Sequence, residues 1–136
     1  MKIAICGSMA TQTFLDGMIA AKKEIERQGH EVLIPLVEEG TSAYENLSEN
    51  EAGQVKNRYT LTHFEKIAQS DAVLVLNPKK RNTEGYIGAN TIMELAVALY
   101  LGKKIYILNK VSRELPAWEE VMGTLPIFLD GDLGKI

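Results

Sequence analysis

The chain has 136 residues, 46% apolar and 24% charged, with a formal net charge of −3. Such a length suits one domain, residues 1–136, able to bury on the order of two-thirds of its unfolded surface. The acidic balance offers no field for a phosphate backbone, which argues against a nucleic-acid polymer as partner. The single cysteine excludes an internal disulfide framework and fits a reducing, cytoplasmic compartment.

In chain order, Lys2 to Cys6 reads as a buried strand broken by Gly7-Ser8. Met1 to Ile5 is too short for the apolar region of an export signal, and no run approaches a membrane span, so no membrane partner is expected. A helix follows from about Thr11 to Gln28, with Phe14, Leu15, Met18, Ile19 and Ile25 inward and Gly29 placed as its C′ residue. Glu31 to Ile34 is a second strand closed by Pro35, and residues 37–51 are an acidic, irregular loop or flap. Ser48-x-x-Glu51 caps a helix that reaches about Gln69, with Val55, Tyr59, Thr62, Phe64 and Ile67 as its contacts.

Asp71 to Leu76 is a third strand ending at Asn77-Pro78, followed by a polar loop over residues 79–89. The next helix, from Asn90, carries apolar residues at Ile92, Leu95, Ala96, Leu99 and Tyr100 and stops at Gly102-Lys103-Lys104. Ile105 to Leu108 is a fourth strand, Arg113 to Met122 a short helix broken by or starting at Pro116, Pro126 to Leu129 a last strand, and 131–136 a tail. This alternation predicts a doubly wound α/β fold, flavodoxin-like or Rossmann-like. Its five parallel strands take the order 2-1-3-4-5, with helices on both faces. The loops after Cys6 and Leu76 then meet at the switch point, where ligands bind.

Glu94 is the carboxylate at that end. Thr91-x-x-Glu94 reads as a capping box; a carboxylate near a helix N-terminus is equally suited to attack an anomeric carbon. Cys6-Gly7-Ser8-Met9 is either a plain strand–helix turn or an anion or sugar-hydroxyl site, with Cys6 most simply a buried thiol. His63 is a helix residue with a hydrogen bond to make. Lys79-Lys80-Arg81 is a solvated loop tip or an electrostatic lid for a phosphate. Tyr86 stacks on a base or tucks against the sheet. No G-x-x-x-x-G-K-[ST] or G-x-G-x-x-G occurs, and two histidines with one cysteine give no metal-ligand spacing; neither cofactor nor metal is expected.

Gly7-Ser8, Asp71-Ala-Val-Leu-Val-Leu, Tyr86-Ile-Gly-Ala-Asn-Thr-Ile-Met-Glu94-Leu-Ala-Val-Ala and Gly102-Lys103-Lys104 together resemble the nucleoside 2-deoxyribosyltransferase superfamily, which includes 2′-deoxynucleotide N-hydrolases. The resemblance implies Glu94 as nucleophile on the sugar. His63 stands where the family carries a catalytic aspartate and would assist proton transfer. Cys6, Gly7, Ser8, Met9, Asn77, Tyr86, Gly88, Asn90 and Thr91 would line the substrate site. A small nucleoside or nucleotide is the implied partner, the reaction transfer or hydrolysis at the N-glycosidic bond, and the assembly a homo-oligomer. The alternative is a non-catalytic nucleotide-binding or sensor module on the same scaffold.

Overall fold

A computed structural model describes residues 1–36 and 44–136. The acidic segment expected as a loop or flap lies outside the described residues over 37–43 and forms a turn at 44–46. The elements are β1 (Lys2–Gly7), α1 (Gln12–Arg27), β2 (Glu31–Leu33), α2 (Glu49–Ala68), β3 (Ala72–Leu76), α3 (Ala89–Tyr100), β4 (Lys104–Ile107), α4 (Trp118–Met122) and β5 (Ile127–Phe128). All strand pairs are parallel, in the order β2-β1-β3-β4-β5, as the sequence pattern predicts.

Strand alternation divides the core into two layers. Ile3, Ile5, Ala72, Leu74 and Tyr106 pack with Leu15, Met18, Ala21 and Ile25 of α1. Ala4, Cys6, Val73, Val75, Ile105 and Ile107 pack with Ile67 of α2, Leu95 and Ala98 of α3 and Val121 of α4. Helices therefore cover both faces, and Cys6 falls on the α2–α3 side. In the register, Cys6 pairs with Val75 and Gly7 with Leu76, so β1 and β3 end side by side and their loops share one edge. Among the described residues, no helix is long and apolar enough to cross a membrane.

Three local expectations differ from the structure. The buried stripe of α3 is Thr91, Glu94, Leu95 and Ala98, while Leu99 and Tyr100 are exposed, Tyr100 at 90%. Glu94 and Leu95 face inward, which puts Tyr100 on the opposite side of the helix. Pro116 lies ahead of α4 and does not break it, consistent with proline's tolerance near a helix start. The tail is structured: Asp132 caps a 3₁₀ turn at Leu133–Lys135, and Leu133 and Ile136 pack on the α1 side of the core.

Candidate active site

At the carboxyl end of β1 and β3 lies a cleft of about 920 Å³. Its walls include the loop after β1, the loop between β3 and α3, the first turns of α1 and α3, and, on the far side, Pro35, Tyr44, Glu45 and Lys56 of α2 and the chain before it. Gly7 closes the seam between the strands: its φ is +154°, and a Cβ there would come within 2.8 Å of the Leu76 carbonyl oxygen. Gly85, at φ +62°, is more tightly constrained, since its Cβ would meet the Lys110 carbonyl oxygen at 2.1 Å. That close approach pins the loop carrying Tyr86 and Gly88 against the chain beyond β4. Fully buried Asn77 completes the clamp. Its Nδ2 donates to the carbonyls of Asn109 (2.8 Å) and Gly85 (3.4 Å), and its Oδ1 accepts from the Asn109 amide (2.8 Å). Asn77 does not line the cleft; it fixes the loop that does.

Glu94 sits on the cleft floor, 2% exposed. It is the sixth residue of α3, not in its first turn, and the helical side chain leans back toward the N-terminus and the cleft. Gly88 is the N-cap and offers no side chain, so Thr91-x-x-Glu94 is no capping box: the helix begins two residues before Thr91, which lies buried within it. One turn earlier, Asn90 Nδ2 donates to Glu94 Oε1 at 2.6 Å. The other oxygen, Oε2, is buried and has no hydrogen-bond partner among the described residues. Gly7, Ser8, Met9, Tyr86, Gly88, Asn90 and Thr91 all line the same cleft.

His63 and Cys6 lie beneath this floor and do not line the cleft. The buried stripe of α2 is Tyr59, His63 and Ile67, a spacing of four that aims the imidazole at the α3 side. His63 Nε2 is 3.3 Å from Glu94 Oε2, in contact without hydrogen-bond alignment, and 3.7 Å from Cys6 Sγ. Its Nδ1 has no partner among the described residues. Burial pushes the Cys6 thiol well above its ordinary pKa, and the neighbouring Glu94 carboxylate pushes it further the same way, so the thiol is held protonated. His63 can reach a substrate only through Glu94.

The mouth is cationic and aromatic. Lys80 and Thr83 bond to each other through both backbone amides, and Arg81 and Asn82 between them adopt positive φ of 49° and 60°. That is the geometry of a tight two-residue hairpin. It carries Lys80 back over the cleft, where Nζ donates to Ser8 Oγ at 3.2 Å and stands 5.7 Å from the ring centres of both Phe14 and Tyr86. Arg81 Nη1 donates to the Tyr86 hydroxyl at 3.4 Å. Tyr86 thus packs, half-buried, against the α2–α3 side of the core while its ring and hydroxyl meet the two cations at the mouth. The sequence reading placed Phe14 in the core and missed its place in the cleft wall. Its position in the first turn of α1, next to the switch-point loop, was the available signal.

No protein-family model matches the chain, and no curated protein matches it. Among solved structures, a 2-deoxyribosyltransferase from Bacillus psychrosaccharolyticus superposes with a TM-score of 0.69 over 99% of this chain and 89% of that one, at 16% sequence identity. The chain has the fold of a 2-deoxyribosyltransferase. A CMP N-glycosidase from Clostridium botulinum gives a TM-score of 0.49 over 94% of this chain and 87% of that one, at 14% identity. Only the first is close enough to establish a shared fold, which agrees with the resemblance carried by residues 71–108.

Proposed function

We propose that the chain is a divergent member of the nucleoside 2-deoxyribosyltransferase superfamily, and that it makes or breaks the N-glycosidic bond of a nucleoside or nucleotide with Glu94 as nucleophile. The observation that carries this is the state of Glu94: a buried carboxylate on a cleft floor, oriented by Asn90 through one oxygen, with the other in no hydrogen bond among the described residues. A carboxylate so placed is desolvated and pre-oriented, the two conditions that favour attack on an anomeric carbon. Attack forms a covalent glycosyl–enzyme ester and expels the base. Water then gives hydrolysis; a second base gives transfer. His63 stands behind the carboxylate, 3.3 Å from Oε2, where it faces Glu94 and not the substrate.

Ser8, Lys80 and Arg81 at the mouth support a substrate bearing a phosphate, since hydroxyl and cationic donors converge there beside the N-terminus of α1. Tyr86 and Phe14 supply aromatic surface for the base. Exposed Met93, Leu99, Tyr100 and Leu101 on and after α3 support a homo-oligomer. The reduced, buried Cys6 fits a cytoplasmic protein.

The test is base release, followed by chromatography, from a panel of nucleosides and their 5′-monophosphates, with and without a competing free base. Wild type and Glu94→Gln run in parallel. Release should fall by about 10⁴–10⁶-fold in the variant, the scale on which removing one member of a covalent-catalysis unit acts. A new nucleoside formed with added base would make the enzyme a transferase. Ligand binding without turnover in either protein would make it a nucleotide-binding module.

A further inference from the structure

Cys6, His63 and Glu94 come from three separate elements, 57 and 31 residues apart, yet one ligating atom from each lies within 4.8 Å of the other two. All three side chains are buried. We propose that this cluster is a binding site for a divalent ion of the zinc class, held by a thiolate, an imidazole nitrogen and a carboxylate oxygen.

Two edges of the triangle are already those of a tetrahedral site. With bonds of about 2.3 Å to sulfur, about 2.05 Å to nitrogen and about 2.1 Å to oxygen, tetrahedral angles put sulfur and nitrogen about 3.6 Å apart and nitrogen and oxygen about 3.4 Å apart. The observed separations are 3.7 Å for Cys6 Sγ to His63 Nε2 and 3.3 Å for His63 Nε2 to Glu94 Oε2. The second contact is not a hydrogen bond, and Glu94 Oε2 has no hydrogen-bond partner of good geometry among the described residues; the Cys6 thiol, a side-chain hydrogen-bond neighbour of the same carboxylate, gives up that role when it coordinates. An oxygen left in that state normally incurs a desolvation cost, which coordination removes. Soft sulfur with borderline nitrogen selects zinc-class ions over magnesium or calcium, which take all-oxygen shells. Three protein ligands leave a fourth position, and Glu94 places the cluster next to the cleft.

Binding requires the Cys6 thiol to give its proton to solvent as the sulfur–metal bond forms, so one proton leaves per ion bound. His63 Nδ1 has no acceptor among the described residues. A ligating histidine without that outer partner loses about 10–100-fold in affinity, which makes the site a reversible one. On the N-glycosidic reading, the ion also takes an oxygen of the nucleophile, so zinc inhibits turnover.

The test uses Co²⁺ alone with the full chain, as a spectroscopic stand-in for Zn²⁺. One equivalent should give a thiolate-to-cobalt charge-transfer band and the visible bands of a tetrahedral ion, both abolished by added Zn²⁺. Calorimetry with Zn²⁺ in two buffers should show one proton released. Cys6→Ala should lose the charge-transfer band, and His63→Gln should weaken binding by more than about 10-fold, both variants first shown folded by circular dichroism. No charge-transfer band in the wild type at saturating Co²⁺, or the same band in Cys6→Ala, overturns the proposal. These spectra need no substrate. Bands without base release from any substrate would sink the N-glycosidic reading and leave the ion site standing; base release without bands would do the reverse.

Discussion

Asn90 and Glu94 are one helical turn apart on α3, and the Asn90 amide donates to Glu94 Oε1 at 2.6 Å, fixing the carboxylate from its own helix. A buried carboxylate loses most of its hydration, so each donor that remains both stabilises it and sets its direction. Asn90 is therefore the element that turns a buried acid into an aimed one.

Asn90→Ala removes that donor. A hydrogen bond to a charged group contributes about 1.5–3 kcal/mol, and about 1.4 kcal/mol is a factor of ten in rate. Steady-state kinetics should show kcat reduced about 10- to 100-fold, with KM changed much less. A rise in KM at unchanged kcat would mean that Asn90 binds substrate and does not aim Glu94.

Lys80 stands between two rings with Ser8 as its partner. If the mouth holds a phosphate, Lys80→Ala should raise KM for 5′-monophosphates by about tenfold or more, the loss expected for one charge-assisted contact. The parent nucleosides should be affected less. The difference should shrink between low and high salt, because a half-buried cation at an open mouth is still partly screened. Equal effects on nucleosides and monophosphates would remove the phosphate from this position.

Gly85→Ala tests the loop clamp. The added methyl meets backbone at Lys110, which cannot swing aside as a side chain would, and the φ of +62° disfavours alanine as well. Urea unfolding should show a loss of more than about 1 kcal/mol. Activity should fall in the folded fraction too, because the loop positions Tyr86 and Gly88. Gly17→Ala, where a Cβ meets nothing, is the control and should be neutral or stabilising in the helix interior.

Cys6 gives a pH prediction. Its folded pKa is raised, so the native state favours the thiol, while the unfolded chain ionises near pH 8.5. The stability contribution is complete below about pH 8.5 and declines as pH rises from there toward the folded value. The urea midpoint should therefore drop at alkaline pH in wild type and drop less in Cys6→Ala. Parallel pH curves for the two proteins would show that Cys6 does not carry the effect.

The strand order, the parallel sheet and the helices on both faces were legible because short apolar runs alternating with amphipathic segments permit few connections. Glu94, Gly7, Ser8 and the loop at residues 79–89 were legible as a group for the same reason: the order 2-1-3-4-5 puts them at one switch point. Asn77 read as a ligand of the cleft because its neighbours in sequence face it, whereas its amide turns away to Asn109. The exposed end of α3 differs from the pattern because apolar spacing fixes a stripe only to within about one residue's rotation, which leaves Leu99 at the margin of the buried stripe and Tyr100 on the far face.

What the sequence determined by itself is the fold and the edge of the sheet where chemistry can occur, since both follow from local periodicity and short connections. What the tertiary structure decided is the meeting of Cys6, His63 and Glu94 under the cleft. No spacing in the chain encodes it. It exists because β1 alternation sends Cys6 toward α2, and two helical stripes of different phase, on α2 and α3, converge on that point.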